Sequence, residues 1–416
     1  MKQLSLFDDE PKPNVWDNTV PVEKSAYLVE EAKYLNYDNL KAPSKDKYTM
    51  IDLFCGAGGF AVGCGFAGFQ SVLGIDHFEP AMNTWVKNHP DAFGCLGDIR
   101  SIDPNNMKEM LAQKGISKIH LLTGGVPCQG FSRANRKHND FDERNFLFLE
   151  YMKYVKVFEP DYIILENVSG MRTTAGGKFE EDIIASMQEL GYTTTVQLIN
   201  AANYGVPQSR LRLVFVGIRN GLGLKDRFVF PEGDFGDPND PSKSNKKPYR
   251  TVYDAISDLP QLGNGEESSE YESEPITEYQ KIMRGEAGFD GIQKPESLYN
   301  HTAPSHPQET IDKIASTKPG EPMYPKFKQR IRLRFDQPSP TQLAGGIRPQ
   351  FQFGHPKQPR GLTIRERARI QSFPDSYVFT GGTVQERVQT GNAVPPLMIY
   401  ALAKEIAADL DNKYKK

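Results

Sequence analysis

The sequence predicts an α/β protein built on a doubly wound, mostly parallel sheet, with a smaller domain inserted late in the chain. Between about residues 48 and 218, apolar runs typical of buried strands alternate with longer segments of helical periodicity. Such repeated βα units indicate a largely parallel sheet with helices on its faces. After residue 220 the alternation stops, and residues 229–248 are rich in Pro, Gly, Asp, Asn and Lys, as loops are.

Apolar periodicity locates each element in chain order. Strands are predicted at 49–54, 70–75, 119–123, 161–165, 193–199 and 211–218, and helices at 79–88, 105–114, 145–158, 179–190, 363–371 and 395–410. We therefore expect an N-terminal extension at 1–46, a main domain at 47–228, an inserted domain at 229–360 and a returning segment at 361–416.

Composition indicates a globular protein of a reducing compartment. The 416 residues are 38% hydrophobic and 25% charged, with a net charge of −3. No apolar run approaches the roughly 18 residues needed to span a bilayer, and the first residues lack a signal peptide, so we expect a cytoplasmic protein without a membrane partner. The four cysteines include no Cys-x-x-Cys pair and the seven histidines form no cluster, so neither a metal site nor a disulfide framework is expected.

Charge is unevenly distributed along the second half of the chain. Residues 324–369 hold eleven Lys and Arg against two acids, and basic residues alternate through 326–334 (KFKQRIRLR). A strand there would carry its charges on one face, as a footprint for phosphates, although a solvated basic face is the equally weighted alternative. Residues 264–278 hold six glutamates and are predicted to be an exposed acidic loop.

Three chemical features fall where predicted strands end. Cys128 follows the strand at 119–123, Glu166 follows the strand at 161–165, and a glycine loop with Gly56 and Gly58 follows the first strand. Open α/β sheets bind ligands at the carboxyl ends of their strands. The glycine loop, with Asp76 twenty residues after Gly56, fits a nucleoside cofactor such as NAD, flavin or S-adenosylmethionine, or simply a tight turn. Together these features suggest covalent catalysis on a bound substrate.

Six blocks of sequence carry a resemblance to a known family. They are 52–60 (DLFCGAGGF), 124–132 (GGVPCQGFS), 166–168 (ENV), 204–212 (YGVPQSRLR), 362–375 (LTIRERARIQSFPD) and 389–396 (QTGNAVPP). In this order they resemble the DNA (cytosine-5)-methyltransferases of bacterial and phage restriction–modification systems. The resemblance implies a Rossmann-like methyltransferase sheet, with residues 229–360 as a target-recognition domain. One small departure is Leu211, where many relatives carry Glu.

The resemblance also implies roles for individual residues. Cys128 would add to C6 of cytosine, Glu166 would contact N3 and the exocyclic amine, Arg210 would hold O2 and position Cys128, and Arg212 would support it. The methyl donor would be S-adenosylmethionine, with S-adenosylhomocysteine as product and no metal. Its implied contacts are Phe54, Gly56, Gly58, Asp76, Asp98, Ile99, Pro127, Leu147, Asn392 and Val394.

The substrate implied by the resemblance is a cytosine flipped out of double-stranded DNA, because C6 cannot be attacked inside a duplex. Candidate DNA-binding residues are Gln129, Ser132, Arg133, Lys326, Lys328, Arg330, Thr341, Gln342 and Arg348. Arg330 and Arg348 either read guanine edges or grip phosphates. We expect a monomer associated with the nucleoid and functionally paired with a restriction endonuclease. Residues 3–7 (QLSLF) resemble the short peptide with which bacterial proteins bind the DNA sliding clamp, although a chance match is the alternative.

Three other functions are alternatives to DNA methylation. A tRNA cytosine-5 methyltransferase belongs to the same family, but that branch carries a Cys-Phe-Thr element in its small domain, and this chain has no cysteine after Cys128. A catalytically silent DNA-binding regulator would not need Cys128, Glu166 and Arg210 together. A nicotinamide oxidoreductase would not need Cys128 and Glu166 in these blocks.

Overall fold

A single large sheet organises the first half of the molecule. The computed structural model describes residues 31–44, 46–127, 146–289, 292–344 and 351–415. Within these residues, eight strands form one sheet in the order β1-β4-β3-β2-β5-β6-β8-β7. The strands are β1 (Lys33–Leu35), β2 (Tyr48–Leu53), β3 (Phe69–Asp76), β4 (Phe93–Leu96), β5 (Leu121–Gly124), β6 (Tyr162–Val168), β7 (Tyr192–Asn200) and β8 (Leu211–Arg219).

The centre of the sheet is parallel and both edges are antiparallel. Strand β2 pairs in parallel with β3 and β5, and the parallel pairing continues to β4 on one side and β6 on the other. Strand β8 runs antiparallel to both β6 and β7. The chain order reverses between β2 and β5, and this switch point is where doubly wound sheets bind their ligands.

The part of the chain that the structure describes contains eleven α-helices, several of which cover the two faces of the sheet. They are α1 (Gly59–Phe66), α2 (Glu79–Asn88), α3 (Pro104–Gln113), α4 (Phe146–Phe158), α5 (Lys178–Glu189), α6 (Val252–Ile256), α7 (Glu278–Met283), α8 (Gln308–Ser316), α9 (Ile364–Ile370), α10 (Thr383–Asn392) and α11 (Pro396–Tyr414). Side chains of α3, α4 and α5 pack with Ile51 on one face. Those of α1 and α11 pack with Met50 on the other face, as the alternation of side chains along β2 requires.

The structure confirms the α/β class and the predicted strands and helices of the main domain. Sequence analysis missed β4, which is only four residues long, and α1, which contains three glycines and therefore lacks a strong helical pattern. It also placed all of residues 1–46 outside the main fold. Instead, β1 pairs antiparallel with β4 and forms the edge of the sheet, with Leu35 packing beside the helix α2.

The predicted basic strand at 326–334 is wrong. Residues 325–329 form turns, and Ile331 and Arg332 make only isolated bridges. The arginines point to different partners: Arg330 is buried, Arg332 donates to the carbonyls of Ile314 and Thr317, and Arg334 pairs with Asp336. The three arginines thus have different kinds of partner, namely an aromatic ring, backbone carbonyls and a carboxylate, and do not share one charged face.

The region that follows the sheet is held by buried ion pairs as well as by apolar packing. Arg369 forms hydrogen bonds to both Asp258 and Asp375, and Arg284 reaches Asp258 from the other side. Helices α6 and α7 nevertheless share the apolar core of one sheet face. A short parallel pair, β9 (Phe235–Gly236) and β10 (Lys247–Pro248), lies outside the main sheet. Among the described residues, no helix is both long and apolar enough to cross a membrane.

Candidate active site

Glu166 and Arg212 form an ion pair at one edge of the sheet. Glu166 lies near the carboxyl end of β6, and Arg212 lies near the amino end of β8, which runs the opposite way. Arg212 Nε is 2.6 Å from Glu166 Oε1, and both side chains are about nine-tenths buried. Because β8 is antiparallel, its first residues reach the same edge as the last residues of the parallel strands.

Arg210 lies beside this pair but has a different partner. Its Nη1 donates to the carbonyl oxygen of Gln342 at 3.2 Å, which joins the start of β8 to a segment far along the chain. Burial, as the main cause, and the positive charge of Arg212 together lower the pKa of Arg210 to about 9, against the opposing effect of Glu166. The predicted assignment gave Arg210 the leading role, whereas Arg212 is the arginine in contact with the acid.

Asn167 holds the loop that leads to Cys128. Its Nδ2 donates to the carbonyl oxygen of Val126 at 3.0 Å, while its Oδ1 accepts from the backbone N–H of Val168. The side chain is 4% exposed, so this amide is committed to fixing the loop. Cys128 itself, together with Gln129, Ser132 and Arg133, lies outside the described residues.

Gly125 lies where the acid and the end of the chain converge. A Cβ at this position would lie 3.6 Å from Glu166 Oε2 and 4.0 Å from atoms of Phe60 and Val394. The loop after β5, the acid of β6, the first helix and the segment after α10 therefore meet at one point. This convergence brings the predicted cofactor residue Val394 next to the predicted catalytic acid.

The glycine loop after β2 has the shape of a ligand cradle. Phe54, Gly56 and Gly58 all have positive φ angles, which is uncommon for a phenylalanine and indicates a constrained loop. A Cβ on Gly56 would meet no described atom within 4 Å, so open space lies above its backbone. Asp76, at the end of β3, accepts from the backbone N–H of Gly56 at 2.8 Å and thereby holds the loop against the neighbouring strand.

The remaining predicted cofactor residues differ in their local environments. Asp98 begins a short 3-10 helix and is bound by Arg100, whose hydrogen bonds outweigh the effect of burial and lower the pKa of the Asp98 carboxyl. Ile99 is 4% exposed. Pro127 and Leu147 are half-buried, and Asn392 is exposed at the end of α10. The open cradle, the strand-end acids and the converging Val394 fit a bound nucleoside.

The end of the chain completes the cradle by close backbone contact. A Cβ on Gly59 would lie 2.0 Å from the carbonyl oxygen of Val394, and one on Gly63 would lie 2.4 Å from that of Pro396. Only glycine permits this approach of α1 to the segment before α11. The predicted return of residues 361–416 to the main sheet thus has a structural basis in α1.

The predicted DNA-binding residues have diverse environments. Lys326 and Lys328 are exposed in turns, and Thr341 donates to the carbonyl oxygen of Ser209 at 2.9 Å. Arg330 is 1% exposed, with its guanidinium 4.3 Å from the centre of the Phe327 ring. Gln342 is also 1% exposed, and its Nε2 donates to the carbonyl oxygen of Arg367. Arg348 lies outside the described residues.

Sequence analysis assigned no role to Asn167, Gln208 or Arg367. Each lies inside one of the six blocks, and this position was the only indication in the sequence that it has a role. The hydrogen-bond partner of each is distant in the sequence and could not be predicted from it. Gln208 Oε1 accepts from the backbone N–H of Gln342 at 2.8 Å. The described residues contain no group of three His, Cys, Asp or Glu side chains suited to a metal ion.

The doubly wound sheet, with an acid–guanidinium pair at the edge where such sheets bind ligands, is typical of an α/β enzyme. A model of the C-5 cytosine-specific DNA methylase family matches residues 48–408. The chain therefore belongs to the C-5 cytosine-specific DNA methylases.

Known relatives agree with this membership. The type II methyltransferase M.DdeI of Desulfomicrobium norvegicum is 34% identical over 87% of this chain and 89% of its own length. The type II methyltransferase M1.HphI of Haemophilus parahaemolyticus is 33% identical over 86% of each chain. A protein described as a DNA modification methyltransferase of an E. coli prophage has the same fold, with a TM-score of 0.70 at 23% identity over 88% of this chain and all of its own.

Proposed function

We propose that this enzyme transfers a methyl group from S-adenosylmethionine to C5 of a cytosine flipped out of a short, specific duplex sequence. The observation that carries the proposal is the convergence of the Glu166–Arg212 pair with the Gly125 loop and Val394. A base seated against Glu166 would lie between the loop leading to Cys128 and the cofactor cradle. Since the relatives are named type II methyltransferases, we infer that it is the modification enzyme of a restriction–modification system.

The proposed chemistry begins with the thiolate of Cys128. The thiolate adds to C6, and the electron pair of the C5–C6 double bond moves to C5, which then forms the new bond to carbon. S-adenosylmethionine would supply the electrophilic methyl group for that bond, and the bond between this methyl group and the sulfonium sulfur would break to leave S-adenosylhomocysteine. Loss of the C5 proton to a base, with the base a water or a side chain, restores the double bond as the C6–sulfur bond breaks.

The other polar groups hold the base while this happens. Glu166 contacts N3 and the exocyclic amine of the base, and its carboxyl is protonated or shares a proton with N3 during addition. Arg212, in contact with Glu166, fixes the orientation of that carboxyl, and Arg210 holds O2. Asn167 keeps the Val126 carbonyl in place and so sets the direction of the loop carrying Cys128.

Methylation and its covalent step are tested together. The protein is incubated with S-adenosylmethionine and plasmid DNA, and methylated cytosines are located by bisulfite sequencing. We expect methylation in one short motif, lost in Cys128→Ala and kept in the matched control Cys95→Ala, which removes a buried thiol of β4. A duplex with 5-fluorocytosine at the target has no C5 proton to release and should trap a covalent complex with wild type only.

Other outcomes would redirect the proposal. Methylation of tRNA instead of DNA would favour the RNA-modifying branch of the family. Cofactor binding without methylation of either substrate would favour a silent DNA-binding regulator. Methylation that persists in Cys128→Ala would overturn the covalent mechanism while leaving the methyltransferase activity in place.

The N-terminal residues suggest a second, independent partner. We propose that Gln3 to Phe7 bind the bacterial sliding clamp, because Leu6 and Phe7 supply the apolar anchors of such a peptide. Retention on immobilised clamp should be lost in the Leu6→Ala, Phe7→Ala double variant and kept in Asp8→Ala, Asp9→Ala. Equal retention of both variants would contradict clamp binding.

We further propose that the protein is a cytoplasmic, nucleoid-associated monomer and that residues 229–360 form its target-recognition domain.

A further inference from the structure

Arg367 is a buried side chain that bridges two distant segments of the chain. It lies in α9, and its Nε donates to Thr390 Oγ1 at 2.9 Å. Its Nη2 donates to the carbonyl oxygen of Leu343 at 3.1 Å and to that of Arg387 at 3.3 Å. In the part of the chain that the structure describes, the three oxygen atoms that accept hydrogen bonds from Arg367 are all uncharged. One guanidinium therefore joins residues 341–344, here named the contact segment, to α10.

The contact segment is also bound to the catalytic edge of the sheet. Gln342 accepts from Arg210 through its carbonyl oxygen and donates its backbone N–H to Gln208. The hydroxyl of Thr341 donates to the backbone of Ser209. Leu343, which comes next, is 39% exposed, so the outer surface of the contact segment is accessible beside the base-binding arginine.

On its other side the contact segment lies against Gly391, which immediately precedes the proposed cofactor contact Asn392. A Cβ on Gly391 would lie 2.4 Å from the carbonyl group of Leu343 and from the backbone nitrogen of Ala344. This contact joins backbone atoms of the two segments, so no side-chain rotation could relieve it. Asn392 and Val394, two of the proposed cofactor contacts, follow immediately. A displacement of the contact segment would therefore displace Gly391, near the start of residues 390–394, here named the cofactor segment.

The neighbouring arginines of α9 provide an internal comparison. Arg365 is as deeply buried as Arg367, but its hydrogen bonds go to the carbonyl oxygens of Tyr299, Pro374 and Tyr377. Arg369 is neutralised by Asp258 and Asp375. Within the described residues, Arg367 is thus the arginine of α9 whose donors reach both the contact segment and α10.

We propose that Arg367 is a positioning residue that couples DNA binding at the contact segment to cofactor binding at residues 390–394. A duplex bound against Leu343 would fix the position of the Leu343 carbonyl group, which accepts a hydrogen bond from Arg367. The planar guanidinium would then restrict the position of Thr390, which is its other hydrogen-bond partner. By linkage, the cofactor would tighten DNA binding by the same factor as DNA tightens cofactor binding. The inference rests on the proposed function, since it assumes a DNA and a cofactor site.

The test measures coupling rather than activity. Binding of S-adenosylhomocysteine is measured by titration calorimetry with and without the target duplex found by bisulfite sequencing. We expect the duplex to tighten binding about 10-fold in wild type and less than about 2-fold in Arg367→Met. Affinity without DNA should change less than about 3-fold in the variant, and Arg367→Lys, which keeps the charge but not the fork, should lie between the two.

Arg365→Met is the matched control, because it removes an equally buried guanidinium from the same helix without touching the contact segment. It should keep the full coupling even if it loses similar stability. Should Arg367→Met fail to fold, Thr390→Val removes a single acceptor and should lower the coupling on its own. Retained coupling in Arg367→Met or Thr390→Val, or methylation by a wild type without coupling, overturns the inference; absence of any methylation overturns the proposed function instead.

Discussion

The sheet, residues 48–219, and the region from α6 to Asp375 bury their side chains by different chemistry. The sheet is filled mainly by aliphatic and aromatic residues such as Ile163 and Phe215, which are fully buried. The later region buries whole guanidinium groups: Arg360, Arg365 and Arg369 are each at most 2% exposed. Repetitive strands satisfy their own backbone, whereas irregular segments leave carbonyls that side-chain donors must satisfy.

This difference predicts unequal tolerance to substitution. An apolar core adapts to small losses of volume, but a buried ion pair that loses one partner leaves an uncompensated charge. The irregular region should therefore be the more fragile part of the molecule, although it contains less regular structure.

The largest effect is expected at Asp258, which is fully buried between Arg369 and Arg284. Asp258→Ala should lower the free energy of unfolding by about 3–5 kcal/mol, because two guanidinium groups lose their shared acid. Ile163→Val in the sheet should cost only about 0.5–1.5 kcal/mol. Denaturant unfolding of both variants makes the comparison, and equal losses would contradict it.

The second effect is a pH dependence of the free energy of unfolding that is expected from Asp52 in the sheet. Burial raises the pKa of Asp52 to about 7, although a hydrogen bond from the Thr123 hydroxyl favours the charged form. A raised pKa adds stability below the unfolded value near 4 that is lost as pH rises towards 7. Asp52→Asn should therefore match wild type at pH 4 and exceed its stability by up to about 4 kcal/mol at pH 8. A parallel pH dependence in the two proteins would refute this.

The opposite pH dependence is expected in the irregular region. Burial alone would raise the pKa of Glu366, but Arg360 outweighs it and lowers the pKa to about 2. This contribution is present above the unfolded value near 4.5 and is lost as pH falls towards 2. Glu366→Gln should be less stable than wild type by about 3 kcal/mol at pH 7, with the gap closing in acid. Unfolding measured from pH 3 to 7 checks it, and a constant gap would contradict the pairing.

A small effect on stability, similar to that of Ile163→Val, is expected at Asn167, a polar residue inside the sheet. Asn167→Ala loses one hydrogen bond and should cost about 1 kcal/mol of stability. Its effect on methylation should be larger, about 10-fold in kcat, because the loop to Cys128 is released. Asn264→Ala is the comparison variant, because Asn264 likewise donates to one backbone carbonyl and accepts from one backbone N–H, both of His306. A loss of activity no greater in Asn167→Ala than in Asn264→Ala would remove the positioning role.

The extent of what sequence could predict follows the same division. Strands such as β6 are short apolar runs with an acid at the end, so Glu166 was placed at the correct sheet edge from local pattern alone. The bonds of Asn167 and Arg367 could not be predicted, since their acceptors lie 41 and 24 residues away in positions set by tertiary structure. The prediction of one charged face at residues 326–334 failed because alternation in the sequence does not show which partners lie near each side chain.

The contact of Gly59 with Val394 has a consequence for synthesis of the chain. The sheet is complete once β8 has been made, yet the cradle after β2 lacks one wall until the residues around Val394 have been added. Domains fold from the N-terminus as translation proceeds, so a growing chain would carry a folded sheet that cannot yet hold its cofactor. The emerging protein would thus be unable to complete this cradle until the residues around Val394 have left the ribosome.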